Sequence, residues 1–217
     1  MQVEFLGGVR TVTGSATLLQ KDSLLWLVDC GMFQGGRAIE ERNRNVHPYH
    51  PGDLSFILLT HAHLDHSGLI PKLVKEGFRG KVVCTKATFD LCEIILKDSG
   101  HIQEIEAEWQ SRKNKRSGRE DTAPLYTAED AEKSLRYFQT VGYDEILSLS
   151  EGLKVRFQDA GHILGSAIIE IWVEEGGQER KLVFSGDLGG SGLPIIRDPS
   201  PVVEAETLWL ESSKAQV

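Results

Sequence analysis

The sequence is poor in cysteine, in basic charge and in long apolar runs. Its 217 residues hold three cysteines, Cys30, Cys84 and Cys92. A number so small, and odd, excludes a disulfide-framed secreted module and leaves all three as reduced, half-buried small hydrophobes. No run approaches the roughly 18 apolar residues of a membrane span. The N-terminal MQVEFLGGVRTVTGS has no basic patch ahead of an apolar stretch, so no signal peptide is expected and a cytoplasmic protein is. Lys and Arg number 24 against 32 Asp and Glu, a net charge of -8. That balance argues against holding nucleic acid by bulk charge, yet leaves room for an enzyme that handles it through metal ions in a local cleft. No internal repeat is present. The length suits one domain of ordinary size, or one and a half.

What is present reads first as β structure. Alternation predicts strands over 2–6, 15–20 and 24–29, with glycine between them where tight backbone is needed. A polar stretch at 37–51 has no clear period. Residues 55–60 (SFILLT) form a short apolar run of the kind a sheet buries on both faces. The spacing of Leu69, Ile70, Leu73 and Val74 predicts a helix over 67–76, ended by Gly77. A strand at 81–84 and a helix over 86–99, apolar at Phe89, Cys92, Ile95 and Leu96, come next. Thr127 with Asp130 three residues on reads as the cap of a helix running to about residue 141. Strands return at 154–157, 167–173, 182–185 and 207–210. The charged run at 112–121 (RKNKRSGRED) reads as a solvated loop between helices. Strands, then strands mixed with helices, then strands again predict a layered α/β sandwich and not a doubly wound sheet.

Chemistry concentrates in HAHLDHSG at 61–68, directly after the buried strand. His61, His63, Asp65 and His66 offer imidazole and carboxylate, the donors that borderline divalent metals take. At this spacing His61 and His63 leave the turn one way and Asp65 and His66 another, so one loop can serve two metals about 3.5–4 Å apart. GHILGS at 161–166 puts His162 on a turn between strands, and SGDLG at 185–189 puts Asp187 just past the apolar LVF. Each has glycine beside it, as a ligand needs where backbone must approach a metal. Together these make six potential ligands. Asp29, in the DCG turn, is either a turn former or a group that holds a ligand histidine from behind. His47, His50 and His101 lack such company and read as surface or structural histidines. Trp109, Trp172 and Trp209 read as packing against core or a partner surface.

HAHLDH, GHILGS and SGDLG resemble the metal-binding motifs of the metallo-β-lactamase superfamily. VTGS at 12–15, DCGMFQG at 29–35 and the terminal WLES resemble more narrowly its β-CASP branch of RNA-processing nucleases. The likeness runs along nearly the whole chain. It implies an αββα sandwich over 1–210, incomplete at its C-terminal end, with 211–217 the truncated start of the β-CASP region and the cap domain lacking. It implies two zinc ions: His61, His63 and His162 on the first, Asp65 and His66 on the second, Asp187 bridging. Glu211 would support the centre from nearby, and manganese or iron would fit the same donors.

The implied activity is hydrolysis of phosphodiester bonds in single-stranded RNA. Asp187 would orient the bridging water and Asp65 accept its proton, so Asp65, Asp187 and Glu211 form the expected catalytic set. Family members usually continue past an EST-Tyr-Gly stretch, whereas this sequence reads ESSKAQV. A histidine that completes the second metal's shell is therefore missing: either the chain is a truncated or natural fragment, or a second chain or a homodimer supplies the remainder. Two rival readings share the motifs. One is a hydrolase of a small thioester, lactone or lactam; the other is a non-catalytic metal-binding subunit of a nuclease complex.

Overall fold

Residues 1–45, 47–118 and 120–212 are described in the structure, a computed structural model. Near the N-terminus, alternating strands pair antiparallel: β1 (Gln2–Gly7), β2 (Ala16–Lys21) and β3 (Leu24–Val28). Beyond β3 the ladder turns parallel through β4 (Phe56–Leu58), β5 (Lys81–Thr85) and β6 (Phe138–Val141). Parallel neighbours require crossovers, and helices supply them on one face of the sheet. They are α1 (Arg37–Glu40), α2 (Leu64–Ser67), α3 (Ile70–Lys75), α4 (Lys86–Arg116) and α5 (Ala128–Ser134).

A second sheet follows, built from β7 (Ile146–Ser150), β8 (Leu153–Asp159), β9 (Ala167–Glu175), β10 (Gln178–Phe184) and β11 (Thr207–Trp209). Its spatial order is β11-β10-β9-β8-β7, antiparallel except where β11 joins β10. The period of two on each strand divides the core. Leu27 and Ile57 face Ile70, Leu73 and Leu96 of the helices, while Trp26 and Leu58 face Phe157, Ile169 and Ile171 of the second sheet. β4 is buried on both faces, as the run at 55–60 predicts. The layers are thus helix, sheet, sheet.

No helix among the described residues covers the outer face of the second sheet, so the fourth layer of the expected sandwich is not seen there. That face is also not the bare apolar surface such a gap suggests. Fully buried Glu170 lies 2.6 Å from Arg156 and 2.5 Å from Lys181, and both cations lean over Trp172. A small apolar group of Ala160, Ile168 and Val183 is covered by Leu188, Val202 and Ala205.

Local expectations need correction in several places. The helix expected over 86–99 continues to Arg116 and absorbs the first half of the charged run. Glu108 pairs with Arg112 at 3.1 Å one turn on, and Lys113, Lys115 and Arg116 sit in the last turn, where the helix dipole favours cations. Gly100 resembles a stop but serves packing: a Cβ there would lie 2.7 Å from the backbone nitrogen of Ala128. The capping box of Thr127 and Asp130 forms as read, both bonds at 3.1 Å. Its helix ends at Ser134, however, and Phe138–Val141 pairs with β5 as an edge strand. The helix expected over 67–76 is the shorter α3, with Pro71 in its first turn, and the separate turn α2 ends at Ser67. β7 answers to no expectation from the sequence. The three cysteines are fully buried, not half-buried.

Candidate metal centre

β4 stops at Leu58, and the chain leaves the sheet still bonded to it, the Leu59 N–H donating to the Val83 carbonyl at 2.9 Å. The following loop and α2 carry His61, His63, Asp65 and His66. Earlier segments clamp this loop by backbone bonds of 2.8 Å: Ser15 N–H to the Asp65 carbonyl, Cys30 N–H to that of His66, and Met32 N–H to that of Leu64. VTGS and DCGMFQG therefore act here by gripping the backbone of the donor loop.

Four donors converge. His61 Nε2 lies 3.1 Å from His63 Nδ1, and His162 Nε2 lies 3.2 Å from that same atom. His162 Nε2 is 3.5 Å from Asp187 Oδ2, and the four donor atoms all fall within 4.8 Å of one another. Tetrahedral zinc at about 2.0–2.1 Å from its ligands needs donors about 3.3 Å apart, so this set fits such an ion. His66 Nε2 lies 3.2 Å from Asp187 Oδ1 and 3.9 Å from Asp65 Oδ2. Asp187 thus gives one oxygen to each histidine group. All six residues read from the sequence come to one place, with Asp65 the loosest member.

Behind the donors lies a buried polar network. Asp29 Oδ2 is 2.7 Å from His66 Nδ1, and Asp29 Oδ1 accepts the Thr60 N–H at 2.8 Å. The Thr60 hydroxyl lies 2.9 Å from both Asp29 oxygens and 3.1 Å from His61 Nδ1. With its proton donated to the carboxylate, that hydroxyl accepts from the Nδ1–H of His61 and leaves Nε2 as a lone pair toward the other histidines. Asp29 itself has a left-handed φ of 61°, as a turn former does, and its carboxylate faces His66.

Burial and charge divide the histidines. Burial, helped by the nearby His66, pushes the pKa of His61 well below its ordinary value. Burial also opposes charge on His66, but Asp29 and Asp187 outweigh it and raise that pKa to about 10. Asp187 is likewise disfavoured as an anion by burial, yet its bond to His66 and the surrounding imidazoles hold it far below the usual carboxylate range. His61 and His66 are buried, whereas His63, Asp65, His162 and Asp187 are partly exposed. The centre is closed behind and open to solvent in front.

Glu211 accepts the Leu188 N–H at 2.8 Å, and its own N–H donates to Ser185 Oγ at 3.0 Å. It grips the turn that carries Asp187 by the neighbouring backbone. The sequence reading missed Thr60, although it directly precedes HAHLDH, and Ser166, whose Oγ accepts from His162 N–H at 3.0 Å. His47 pairs with Glu76 at 3.1 Å, His50 accepts from Gly52 N–H, and His101 is exposed, in line with surface or structural roles. Trp209 stacks on Phe184 at 4.4 Å, but Trp109 is 63% exposed beside Lys113 and packs into no core.

Known proteins resemble this chain in sequence and in fold. Ribonuclease TTHA0252 of Thermus thermophilus is 39% identical over 200 residues, 92% of this chain and 41% of that protein. The transcription termination factor FttA of Methanocaldococcus jannaschii is 32% identical over 188 residues, 87% of this chain and 27% of that protein. The chain thus spans less than half the length of these curated relatives. A Cronobacter sakazakii metallo-β-lactamase, the HARLDQ motif mutant S60, superposes with a TM-score of 0.55 at 18% identity, over 89% of this chain and 63% of that one. That likeness shows the fold alone. Residues 9–214 match the family described as the metallo-β-lactamase superfamily. By that match the chain belongs to the metallo-β-lactamase superfamily.

Proposed function

We propose that the chain carries the hydrolytic centre of a two-zinc ribonuclease that cleaves single-stranded RNA, of the type that matures transcripts or processes their 3′ ends. One observation carries this most directly: Asp187 sets one oxygen 3.5 Å from His162 and the other 3.2 Å from His66, so a single carboxylate serves both donor groups. The relatives' names, a ribonuclease and a transcription termination factor, support RNA as the substrate. VTGS, DCGMFQG and WLES support the β-CASP branch over a hydrolase of small esters. Retention of all six donors supports an enzyme over a non-catalytic subunit. Residues 211–217 are assigned to the start of the β-CASP region, of which 213–217 lie outside the described residues.

His61, His63 and His162 would hold one ion, Asp65 and His66 the other, and Asp187 both. Zinc in such a shell lowers the pKa of water toward neutrality and offsets the charge that builds on phosphate oxygens; manganese or iron suits the same donors. Asp187, ionised at any working pH, orients the attacking water. Asp65 takes up its proton. Thr60 and Asp29 keep His61 and His66 turned with Nε2 forward. Glu211 keeps the Asp187 turn in place.

The His63→Ala substitution tests the assignment. Bound zinc and hydrolysis of a single-stranded RNA oligonucleotide should fall together, by at least about tenfold. Full zinc content with full RNA cleavage in that variant overturns the assignment, and turnover of a thioester or lactone without RNA cleavage favours the small-ester hydrolase.

A further inference from the structure

We propose that Thr85 and Thr88, at the start of α4, are positioning residues for His162, acting through the carbonyl of Gly165; this rests on the metal centre described above. Thr85 Oγ1 donates to the Gly165 carbonyl at 2.7 Å and Thr88 Oγ1 donates to it at 2.8 Å. Both threonines are buried. Thr85 Oγ1 also accepts the Thr88 N–H at 3.2 Å as the cap of α4, which leaves its own proton for the carbonyl. Two hydroxyls thus converge on one carbonyl oxygen, 3.1 Å from each other, with the Thr85 proton in reach of both that oxygen and Thr88 Oγ1. Gly165 makes the approach possible: its φ is +82°, and a Cβ there would lie 2.4 Å from Thr88 N.

This contact joins the two sheets at the metal end. Thr85 is the last residue of β5 of the first sheet and Thr88 lies in the first turn of α4 that follows it, while Gly165 lies in the turn between β8 and β9 of the second. His61 and His63 come from the first sheet, His162 from the second, so the spacing of the sheets there sets the 3.2 Å between His162 and His63. Within the turn, Ser166 Oγ accepts from the N–H of His162 at 3.0 Å and of Ile163 at 3.2 Å. A shift of Gly165 therefore passes to the His162 backbone through one intervening serine. Outer contacts of this kind are commonly worth 10–100-fold in metal affinity.

Titration of the whole chain with cobalt(II), whose visible absorption reports a four-coordinate shell, tests the proposal alongside zinc competition against a chromophoric chelator. Thr88→Val is expected to weaken both metals by about 10–100-fold and to alter the cobalt spectrum, while the metal-free chain keeps its circular dichroism and melting temperature. Thr88→Ser, which restores the hydroxyl, should recover both. Thr88→Ala, adding no volume, should repeat the loss if valine disturbs α4. Wild-type affinity and spectrum in both hydroxyl-free variants overturn this inference alone. A wild-type chain that takes up neither metal overturns the metal centre and this inference with it.

Discussion

The carboxylate of Asp29 sits 2.7 Å from Nδ1 of His66, and both groups are buried. His66 therefore presents Nε2 to Asp187 and the donor site, in an orientation fixed from behind. Asp29→Ala leaves that imidazole free to turn. The ion assigned to Asp65 and His66 should lose about 10–100-fold in affinity, read by chelator competition, and more than the ion assigned to His61, which Asp29 reaches only through Thr60. Equal affinity for both ions in variant and wild type would show that Asp29 serves the turn alone.

Glu211 reaches the centre through the Leu188 N–H. Glu211→Gln keeps an acceptor there and should change metal affinity and RNA hydrolysis by less than about threefold. Glu211→Ala strands a backbone donor and should reduce both by about tenfold, consistent with about 1–3 kcal/mol for an unsatisfied partner. Collapse of hydrolysis in the glutamine variant, with metal retained, would instead mark Glu211 as a group that touches substrate.

The metal-free chain should lose stability as pH rises from 7 to 8.5. The pKa of His66 is raised to about 10 by Asp29 and Asp187 against the cost of burial. A raised pKa contributes fully below the ordinary histidine value and fades as pH climbs toward the folded one. His61, held low, and Asp187, held lower still, exert their effects at or below the ordinary histidine and carboxylate ranges, outside this window. Melting temperature after chelation should therefore fall over that interval, and the slope should flatten in Asp29→Ala. A melting temperature independent of pH from 7 to 8.5 would contradict the charged state assigned to His66.

HAHLDH is legible because its donors are sequence neighbours, so residue type and spacing suffice. The residues that orient those donors are not, since their value lies in contacts across the fold. Thr60 meets Asp29 across 31 positions and Thr88 meets Gly165 across 77. The glycines of GHILGS suggest backbone approaching a metal, yet Gly165 lets the turn approach α4. Local patterns fail likewise where tertiary packing decides: Gly100 inside α4 reads as a stop until α5 is seen against it, and Phe138–Val141 reads as helix until β5 is beside it. The apolar run at 55–60 needs no such help, because a strand buried on both faces carries no polar position to disguise it.

Trp26 offers a check on the core between the sheets. It is fully buried and stacks on Phe56 at a centroid distance of 5.6 Å, and its Nε1 finds no acceptor among the described residues. Trp26→Ala should destabilise by about 3–5 kcal/mol. Trp26→Phe removes an unpaired donor along with ring volume and should cost no more than about 1–2 kcal/mol. Urea unfolding of the two variants, at constant slope, reads the difference; equal losses would mean that the indole N–H is hydrogen-bonded in solution.

Zinc per chain, by elemental analysis of protein purified without chelator, bears most directly on the claim that His61, His63, Asp65, His66, His162 and Asp187 form one binuclear centre. About two equivalents are expected, falling to one or fewer in His63→Ala. Less than one equivalent in the wild type, unchanged by that substitution, would contradict it.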